Sequence, residues 1–132
     1  MVVDPRRTPT AALTADGGGV HLSPLPGTDL VLLLGLTQVL WTEGLVDLDY
    51  LATRTGGVPE LRASLAAWWP ERVERVTGVP VAALRRAARL LADASPAPGG
   101  RGAYVLTGRG AEQHAYQARH HIHPESSSFV HA

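Results

Sequence analysis

The sequence predicts an α/β fold in which a parallel sheet is interrupted by a helical insert. Two short apolar runs, residues 2–3 and 20–23, are each followed by proline-containing turns, as the ends of strands often are. A third run of β-type residues, 104–107, enters a glycine-containing loop. Between the second and third runs, capping residues and apolar residues at helical spacing predict a set of helices.

The first strand is predicted to end at Val3, because Pro5 cannot donate to the hydrogen-bond ladder of a central strand. Residues 8–13 have room for one or two helical turns, and residues 15–19 form a loop with three consecutive glycines. The second strand then runs into residues 24–27, whose proline and glycine content predicts a turn.

The segment of residues 30–41 is apolar nearly all round, which predicts a deeply buried helix. Thr28 or Asp29 is expected to cap its N-terminus, and Gly44 is expected to end it. Three further helices are predicted to begin at Asp47, Pro59 and Pro80.

The helix after Pro80 has the clearest pattern of apolar and charged residues. Its charged residues are interpreted as a solvated face, with Arg89 and Asp93 paired at i,i+4. The apolar stripe of this helix consists of Leu84, Ala87, Ala88 and Leu91, and its solvated face of Arg85, Arg86 and Arg89.

Trp68 and Trp69 are interpreted as packing residues, because no basic stripe surrounds them as it would on a base-stacking surface.

Composition argues against several classes of protein. The 132 residues include 12 basic and 12 acidic side chains, a balance that disfavours nucleic acid as the main partner. The absence of cysteine excludes disulfides, thiolate metal sites and iron–sulfur clusters within this chain. The longest apolar run, residues 30–36, is far shorter than the roughly 20 residues of a membrane span. No signal-peptide pattern precedes Asp4, so we expect a cytoplasmic protein without a membrane partner.

Carboxylates and glycines follow the predicted strands, at the edge where open α/β sheets bind nucleotides. Asp4 is suitably placed to bind ribose hydroxyls, although an aspartate before proline is also an ordinary turn residue. Asp29, behind Gly27, can accept two hydrogen bonds from the N–H edge of guanine, although these residues by themselves favour an ordinary helix cap. Gly108 and Gly110 would let a cofactor approach closely, but two glycines alone are weak evidence.

The last part of the chain is rich in histidine and serine. His121 and His123 have a spacing that can reach one metal ion from a strand. We predict no metal site, because Glu125 is the single acidic neighbour and no second shell is visible. The serines at 126–128 are given no catalytic role, and no catalytic residue is predicted in the chain. The late histidines, interpreted as a chance polar tail, are His114, His120, His121, His123 and His131.

Taken together, these segments resemble the molybdopterin-dependent oxidoreductases, the family of nitrate reductases, formate dehydrogenases and dimethyl sulfoxide reductases. The resemblance covers residues 1–115. Residues 68–78 and 104–114 are most similar to the bacterial assimilatory nitrate reductases. The segments that carry the resemblance are residues 2–11, 15–16, 21–30, 43–51, 77–80, 84–91 and 108–114.

The resemblance implies that residues 1–115 are a partial nucleotide-binding, Rossmann-like parallel-sheet domain with a helical insert, within a much longer subunit. In the family this domain helps to hold one of two molybdopterin guanine dinucleotides. By resemblance, Asp29 is the best candidate to contact guanine. The implied cofactor-binding residues are Asp4, Pro5 and Arg6 at the ribose and guanosine end, Gly27 and Asp29 at the guanosine, and Gly108, Gly110 and Gln113 in a later loop.

The chain also departs from the family. Family members take their molybdenum ligand, a cysteine in the nitrate reductase branch, and their iron–sulfur cysteines from upstream segments, and none is present here. Residues 116–132 match nothing in the family and are expected to be a disordered tail, as a frameshift or truncated reading frame would give. We therefore expect a fragment of a molybdenum oxidoreductase, nitrate-reducing by resemblance, that binds the cofactor with the rest of its parent and is inactive alone.

Three alternatives remain open from the sequence. The first is another branch of the same family, such as formate dehydrogenase. The second is a stand-alone nucleotide-binding module, which would need a complete first βαβ unit that we expect the chain to lack. The third is a non-functional remnant, in which residues 2–3 have lost their sheet partners and residues 30–41 expose an apolar patch.

Overall fold

The computed structural model describes residues 1–96 and 99–108 of the chain. Within these residues a small parallel sheet lies beside a larger group of helices. The elements in chain order are β1 (Val2–Val3), α1 (Pro9–Asp16), β2 (His21–Leu22), α2 (Asp29–Thr42), α3 (Leu48–Arg54), α4 (Val58–Leu65), α5 (Pro70–Thr77) and α6 (Val81–Ala94).

The two strands are parallel neighbours, with Val2 opposite His21 and Val3 opposite Leu22. Two flanking hydrogen bonds extend the pairing, from Val2 N to Val20 O at 2.8 Å and from Asp4 N to Leu22 O at 3.1 Å. Helix α1 connects the strands and contacts both of them, so β1, α1 and β2 form a βαβ unit. The expectation that the chain lacks such a unit is therefore wrong, although each strand is only two residues long.

The predicted third strand at residues 104–107 is wrong, since residues 101–108 form no strand. Tyr104 and Leu106 are more than nine-tenths exposed. A run of β-type residues becomes a strand only where a neighbouring strand completes its hydrogen-bond ladder, and side-chain type does not supply that neighbour. The described residues are therefore mixed helical with a two-stranded parallel sheet. This arrangement is compatible with the α/β class, and the expected Rossmann-like form of the sheet is not confirmed.

Helix α2 is buried, as its apolar sequence predicted. Five of its large apolar side chains are almost inaccessible, whereas Leu33 is 47% exposed. The helix packs against α4, α5 and α6. It ends at Thr42, with Glu43 as its C-cap, and Gly44 follows with a φ of +69°, the left-handed conformation common after helices. The buried apolar residues of α2 are Leu30, Leu32, Leu36, Val39 and Leu40.

Gly35 lets α2 and α5 approach each other very closely. A Cβ atom at Gly35 would lie 2.6 Å from Val73 Cγ2 and 2.8 Å from Val73 Cγ1. Val73 is completely buried, and its branched side chain has little freedom to rotate away. The missing side chain of Gly35 is therefore what makes room for Val73 in the core.

The remaining helices begin close to the predicted residues. Asp47 caps α3, and its Oδ1 atom accepts a hydrogen bond from Tyr50 N at 2.8 Å. Pro59 lies in the first turn of α4, and Pro80 immediately precedes α6. These starts were predictable because caps and prolines act locally, without help from tertiary contacts.

The arginines of α6 are exposed, as the sequence predicted, but they contact groups on other segments of the chain. Arg85 and Arg89 pair with Glu43 at the end of α2, at 3.6 and 3.1 Å, so Arg89 pairs with Glu43 rather than with Asp93. Arg86 donates to the carbonyl of Gly18 at 2.9 Å. These contacts join segments 46 and 68 residues apart, a distance that i,i+4 spacing on one helix cannot reveal.

The two tryptophans differ in their burial. Trp68 packs against the core, which confirms its interpretation as a packing residue, whereas Trp69 is 43% exposed. The guanidinium of Arg72 lies 4.5 Å from the ring of Trp68 and 5.5 Å from the ring of Trp69. Cation–π attraction of this kind stabilises the entry to α5. In the described part of the chain, no helix is both long and apolar enough to cross a bilayer.

Replacing Gly35 with alanine is expected to destabilise the fold by about 1–2 kcal/mol, because overpacking of about 1–3 kcal/mol outweighs the gain in helix propensity. Chemical denaturation measures the effect. The matched control is Gly56→Ala, since a Cβ there meets no atom within 4 Å. Combining Gly35→Ala with Val73→Ala should cost less than the sum of the single changes. A Gly35→Ala chain as stable as the parent would contradict this account.

Candidate ligand site at the carboxyl edge of the sheet

The carboxyl ends of β1 and β2 lie at the same edge of the sheet, because the strands are parallel neighbours. The segment of residues 4–6 leaves β1 there, and the segment of residues 23–29 leaves β2. The structure thus brings together the two strand exits on which the sequence placed Asp4 and Asp29. An edge of this kind is the usual place for a nucleotide in a parallel sheet.

Asp4 forms a tight turn with Arg6. Its Oδ1 atom accepts hydrogen bonds from Arg6 N at 2.8 Å and from Arg6 Nε at 3.5 Å. This is the turn that aspartate favours when its side chain accepts from the backbone two residues later. Within the described residues the second oxygen, Oδ2, accepts no hydrogen bond, so it is available to a ligand.

The pKa of the Asp4 carboxyl is lowered, chiefly by the backbone N–H of Arg6. Partial burial opposes this shift, whereas the Arg6 guanidinium and the charge of His21 add to it. The Arg6 side chain is itself 82% exposed. Asp4 is therefore held as a carboxylate that accepts hydrogen bonds.

Two side chains of the second strand hold this turn from the other side. His21 Nε2 lies 2.9 Å from the carbonyl oxygen of Asp4, and Ser23 Oγ donates to the carbonyl oxygen of Pro5 at 2.8 Å. Sequence reasoning missed both roles. A usable signal was present, because His21 and Ser23 flank the buried Leu22 and so point to the opposite side of the strand.

Residues 25–28 form a β-turn directly before α2. Thr28 N donates to Leu25 O at 3.1 Å, and Thr28 Oγ1 donates to the same oxygen at 2.7 Å. Pro26 and Gly27 occupy the central positions, and Gly27 has a φ of +85°. A proline followed by a residue with positive φ is the pattern of a type II turn. The predicted turn is confirmed, and Gly27 is required for its backbone conformation.

Asp29 is the first residue of α2, and Thr28 is its N-cap residue. The Thr28 hydroxyl points back into the turn and makes no capping bond to the helix. No hydrogen bond or ion pair with the described residues involves the Asp29 carboxylate, which is half-buried. A negative charge in the first turn is favoured by the helix dipole, and no described residue uses the oxygens of Asp29.

Of the later glycine loop, the described part of the chain includes Gly108. Gly108 is exposed, and a Cβ atom added to it would meet no atom within 4 Å. Gly110, Gln113 and the late histidines lie outside the described residues. In the part of the chain that is described, no three histidines or carboxylates lie together as a metal site would require.

The carboxyl of Asp4 is expected to titrate below the usual aspartate value of about 3.9. Because the folded pKa is lowered, its stabilising contribution is complete above the unfolded value and is lost as the pH falls through the folded value. Carboxyl NMR with labelled aspartate measures the midpoint. Arg6→Ala should raise the midpoint only partly, since the backbone N–H remains. A midpoint at or above the usual value in the unmodified chain would contradict the turn described above.

Comparison with known proteins relates this geometry to a family. Over 97 residues the chain is 37% identical to the alpha subunit of an F420-dependent formate dehydrogenase 1 from Methanococcus maripaludis. Over 113 residues it is 35% identical to formate dehydrogenase H of Escherichia coli. The matches cover 74% and 86% of this chain but 14% of each relative, so the chain spans about one seventh of their length. No protein-family profile matches the chain.

A solved structure gives the same result. The chain resembles acetylene hydratase from Pelobacter acetylenicus with a TM-score of 0.66 and 32% sequence identity. This likeness covers 72% of the present chain and 12% of the hydratase. The agreement of sequence and fold over nearly the same share of the chain means that the likeness is not limited to short motifs.

The finer resemblance to one branch is not confirmed. The assimilatory nitrate reductase catalytic subunit of Bacillus subtilis is 31% identical over 113 residues, a lower identity than that of the two formate dehydrogenases. All of these relatives are members of the molybdopterin oxidoreductase family. Over about three quarters of its length, the chain is therefore similar in sequence and in fold to a segment of the molybdopterin oxidoreductases.

Proposed function

We propose that this chain holds the guanosine end of a molybdopterin guanine dinucleotide, as the cofactor-binding segment of a molybdenum oxidoreductase. One observation carries the proposal. Asp29 stands at the start of a buried helix, behind a turn that needs Gly27, with carboxylate oxygens that no described residue uses. The similarity to molybdopterin oxidoreductases supplies the chemical class of the ligand.

The chemistry of Asp29 suits guanine. The Watson–Crick edge of guanine presents two neighbouring N–H donors, and one carboxylate accepts both through its two oxygens. Adenine offers a donor beside an acceptor at that edge, so it cannot satisfy both oxygens. Asp29 therefore selects for guanine over adenine, provided that the carboxylate is held at a fixed place.

The Asp4 turn suits the neighbouring ribose. Asp4 Oδ2 is available to accept a ribose hydroxyl, while Oδ1 remains bonded to Arg6 N. The exposed guanidinium of Arg6 offers a positive charge to the dinucleotide. Pro5 contributes through its backbone, which Ser23 holds in place. Gly108, Gly110 and Gln113 are proposed, from the family resemblance alone, to form a later loop near the same cofactor.

When bound, the molybdenum cofactor supplies the two-electron chemistry of the parent enzyme, and the protein supplies binding and orientation. The residues of this chain bind and orient the nucleotide end, and no cysteine is present to ligate molybdenum or an iron–sulfur cluster. The proposed partners are thus the dinucleotide and the remaining parts of a longer subunit, of which this chain matches about one seventh.

For the parent enzyme we place formate oxidation first and nitrate reduction second. The order follows the identities of 37% and 35% to formate dehydrogenases against 31% to an assimilatory nitrate reductase. A stand-alone guanosine-nucleotide-binding module is the second candidate function for the chain itself. The β1–α1–β2 unit favours this candidate, because a βαβ unit is the core of nucleotide-binding sheets.

Guanosine diphosphate is expected to bind the 132-residue chain more tightly than adenosine diphosphate does. Asp29→Asn should weaken guanosine diphosphate binding by about tenfold. The reason is that the NH2 group of asparagine, a donor, would face one of the two N–H donors of guanine. Binding of adenosine diphosphate should hardly change. Isothermal titration calorimetry measures both affinities.

The matched control is Asp49→Asn, which removes an aspartate from the first turn of α3. This control should leave both affinities unchanged. Equal binding of the two diphosphates by the unmodified chain, or unchanged binding after Asp29→Asn, would refute the proposed role of Asp29.

The chain alone is expected to show neither nitrate reduction with reduced viologen nor formate oxidation with oxidised viologen. The physical reason is that it contains no thiolate for the metal centre. The Asp29→Asn chain, prepared in the same way, is the control, because any turnover that it shares with the unmodified chain comes from contaminating enzymes. Turnover by the unmodified chain that disappears in Asp29→Asn would overturn this expectation.

A further inference from the structure

Thr77, in the last turn of α5, is fully buried although it is polar. Its hydroxyl donates to Val73 O at 2.8 Å and accepts from Val79 N at 3.1 Å. Gly78 follows with a φ of +75°, and its N–H bonds to Glu74 O at 2.8 Å. The hydroxyl therefore ties the last turn of α5 to the segment that leaves it, which fixes the direction of the Thr77 carbonyl.

That carbonyl holds the turn before Asp29. Leu25 N donates to Thr77 O at 2.8 Å. Leu25 O in turn accepts both bonds from Thr28. The Leu25 side chain is 56% exposed, so burial of the side chain does not hold this residue. Leu25 is instead held by the hydrogen bonds of its backbone, from its N–H to Thr77 and from Thr28 to its carbonyl oxygen.

Helix α5 also holds the segment on the other side of Asp29. Gly35, six residues after Asp29, packs against Val73, and Val73 O accepts the Thr77 hydroxyl. The stretch from Leu25 to Gly35 is therefore fixed to one short part of α5 at both ends. Asp29 lies between these two attachments, which together define its position relative to α5.

We propose that Thr77 is a positioning residue for guanine recognition, acting through Leu25 and the turn that carries Asp29. This inference rests on the proposed function of Asp29. It assigns the helical insert a part in the nucleotide site, since α5 is remote from the sheet edge in sequence but bonded to the loop that leaves β2. Recognition by two parallel hydrogen bonds is sensitive to such positioning, because both bonds require alignment.

The test compares binding of guanosine diphosphate with that of inosine diphosphate, which lacks the 2-amino donor. Thr77→Val keeps the shape of the side chain and removes the hydroxyl. It should reduce the preference for guanosine diphosphate by about tenfold. Thr77→Ser keeps the hydroxyl and should retain the preference. Loss of the preference in Thr77→Ser, or its retention in Thr77→Val, would overturn the role of the hydroxyl.

A control separates positioning from general stability. Ser95→Ala alters the other buried hydroxyl of the described residues, at the end of α6. It should lower the melting temperature without changing the ratio of the two affinities. If Thr77→Val is unfolded in buffer, the titrations are repeated in sucrose, which favours the folded state.

The outcomes distinguish the two proposals. If the unmodified chain does not prefer guanosine diphosphate to inosine diphosphate, and Asp29→Asn has no effect, the proposed function fails. If the preference exists and depends on Asp29 but is unchanged in Thr77→Val, the proposed function stands and the role of Thr77 is wrong. A Ser95→Ala chain that loses the preference as Thr77→Val does would also contradict a specific role for Thr77.

Discussion

The close contact between Gly35 of α2 and Val73 of α5 is the constraint on which most of this structure depends. Helix α2 is apolar on nearly every side, so it is stable in water only when other elements cover it. Helices α4, α5 and α6 provide that cover. A side chain at residue 35 would occupy the space of Val73, which is fully buried in the core. The position of α5 along α2 is therefore fixed by a single missing Cβ atom.

The same contact links the core to the candidate site. Helix α2 begins at Asp29, and the turn before it is bonded to the end of α5. The position of the Asp29 carboxylate thus depends on packing that lies several residues away from it on either side. In contrast, the Asp4 turn is held locally, by Arg6 within the turn and by His21 and Ser23 on the neighbouring strand. The two parts of the candidate site are therefore held differently. Core packing holds the segment that carries Asp29, and strand pairing holds the Asp4 turn.

Charged side chains complete the arrangement away from the site. Glu43 at the end of α2 meets Arg85 and Arg89 of α6. Arg86 of the same helix reaches the loop before β2. Each of these exposed contacts is weak by itself, about 0–1 kcal/mol for a surface ion pair. Their effect is to connect the βαβ unit, α2 and α6 at points that the apolar core does not cover.

The sequence by itself determined features that depend on a few neighbouring residues. These include the helix starts at Asp47 and Pro80, the turn that needs Gly27, and the carboxylate that follows each strand. Each follows from backbone conformation or from a local cap, so no distant contact is needed to predict it. The apolar character of α2 likewise predicted its burial, although not which helices cover it.

Only the tertiary structure decided which distant groups meet. It paired Arg89 with Glu43 instead of Asp93, placed Thr77 against Leu25, and left residues 104–107 without a strand. Hydrogen bonds and ion pairs of this kind are made between elements far apart in the chain, and their partners depend on how helices pack. A β-type run in the same way needs a neighbouring strand, which side-chain type alone does not provide. The sequence thus determined the local chemistry of Asp4 and Asp29, and the packing of α2 against α5 decided where Asp29 is held.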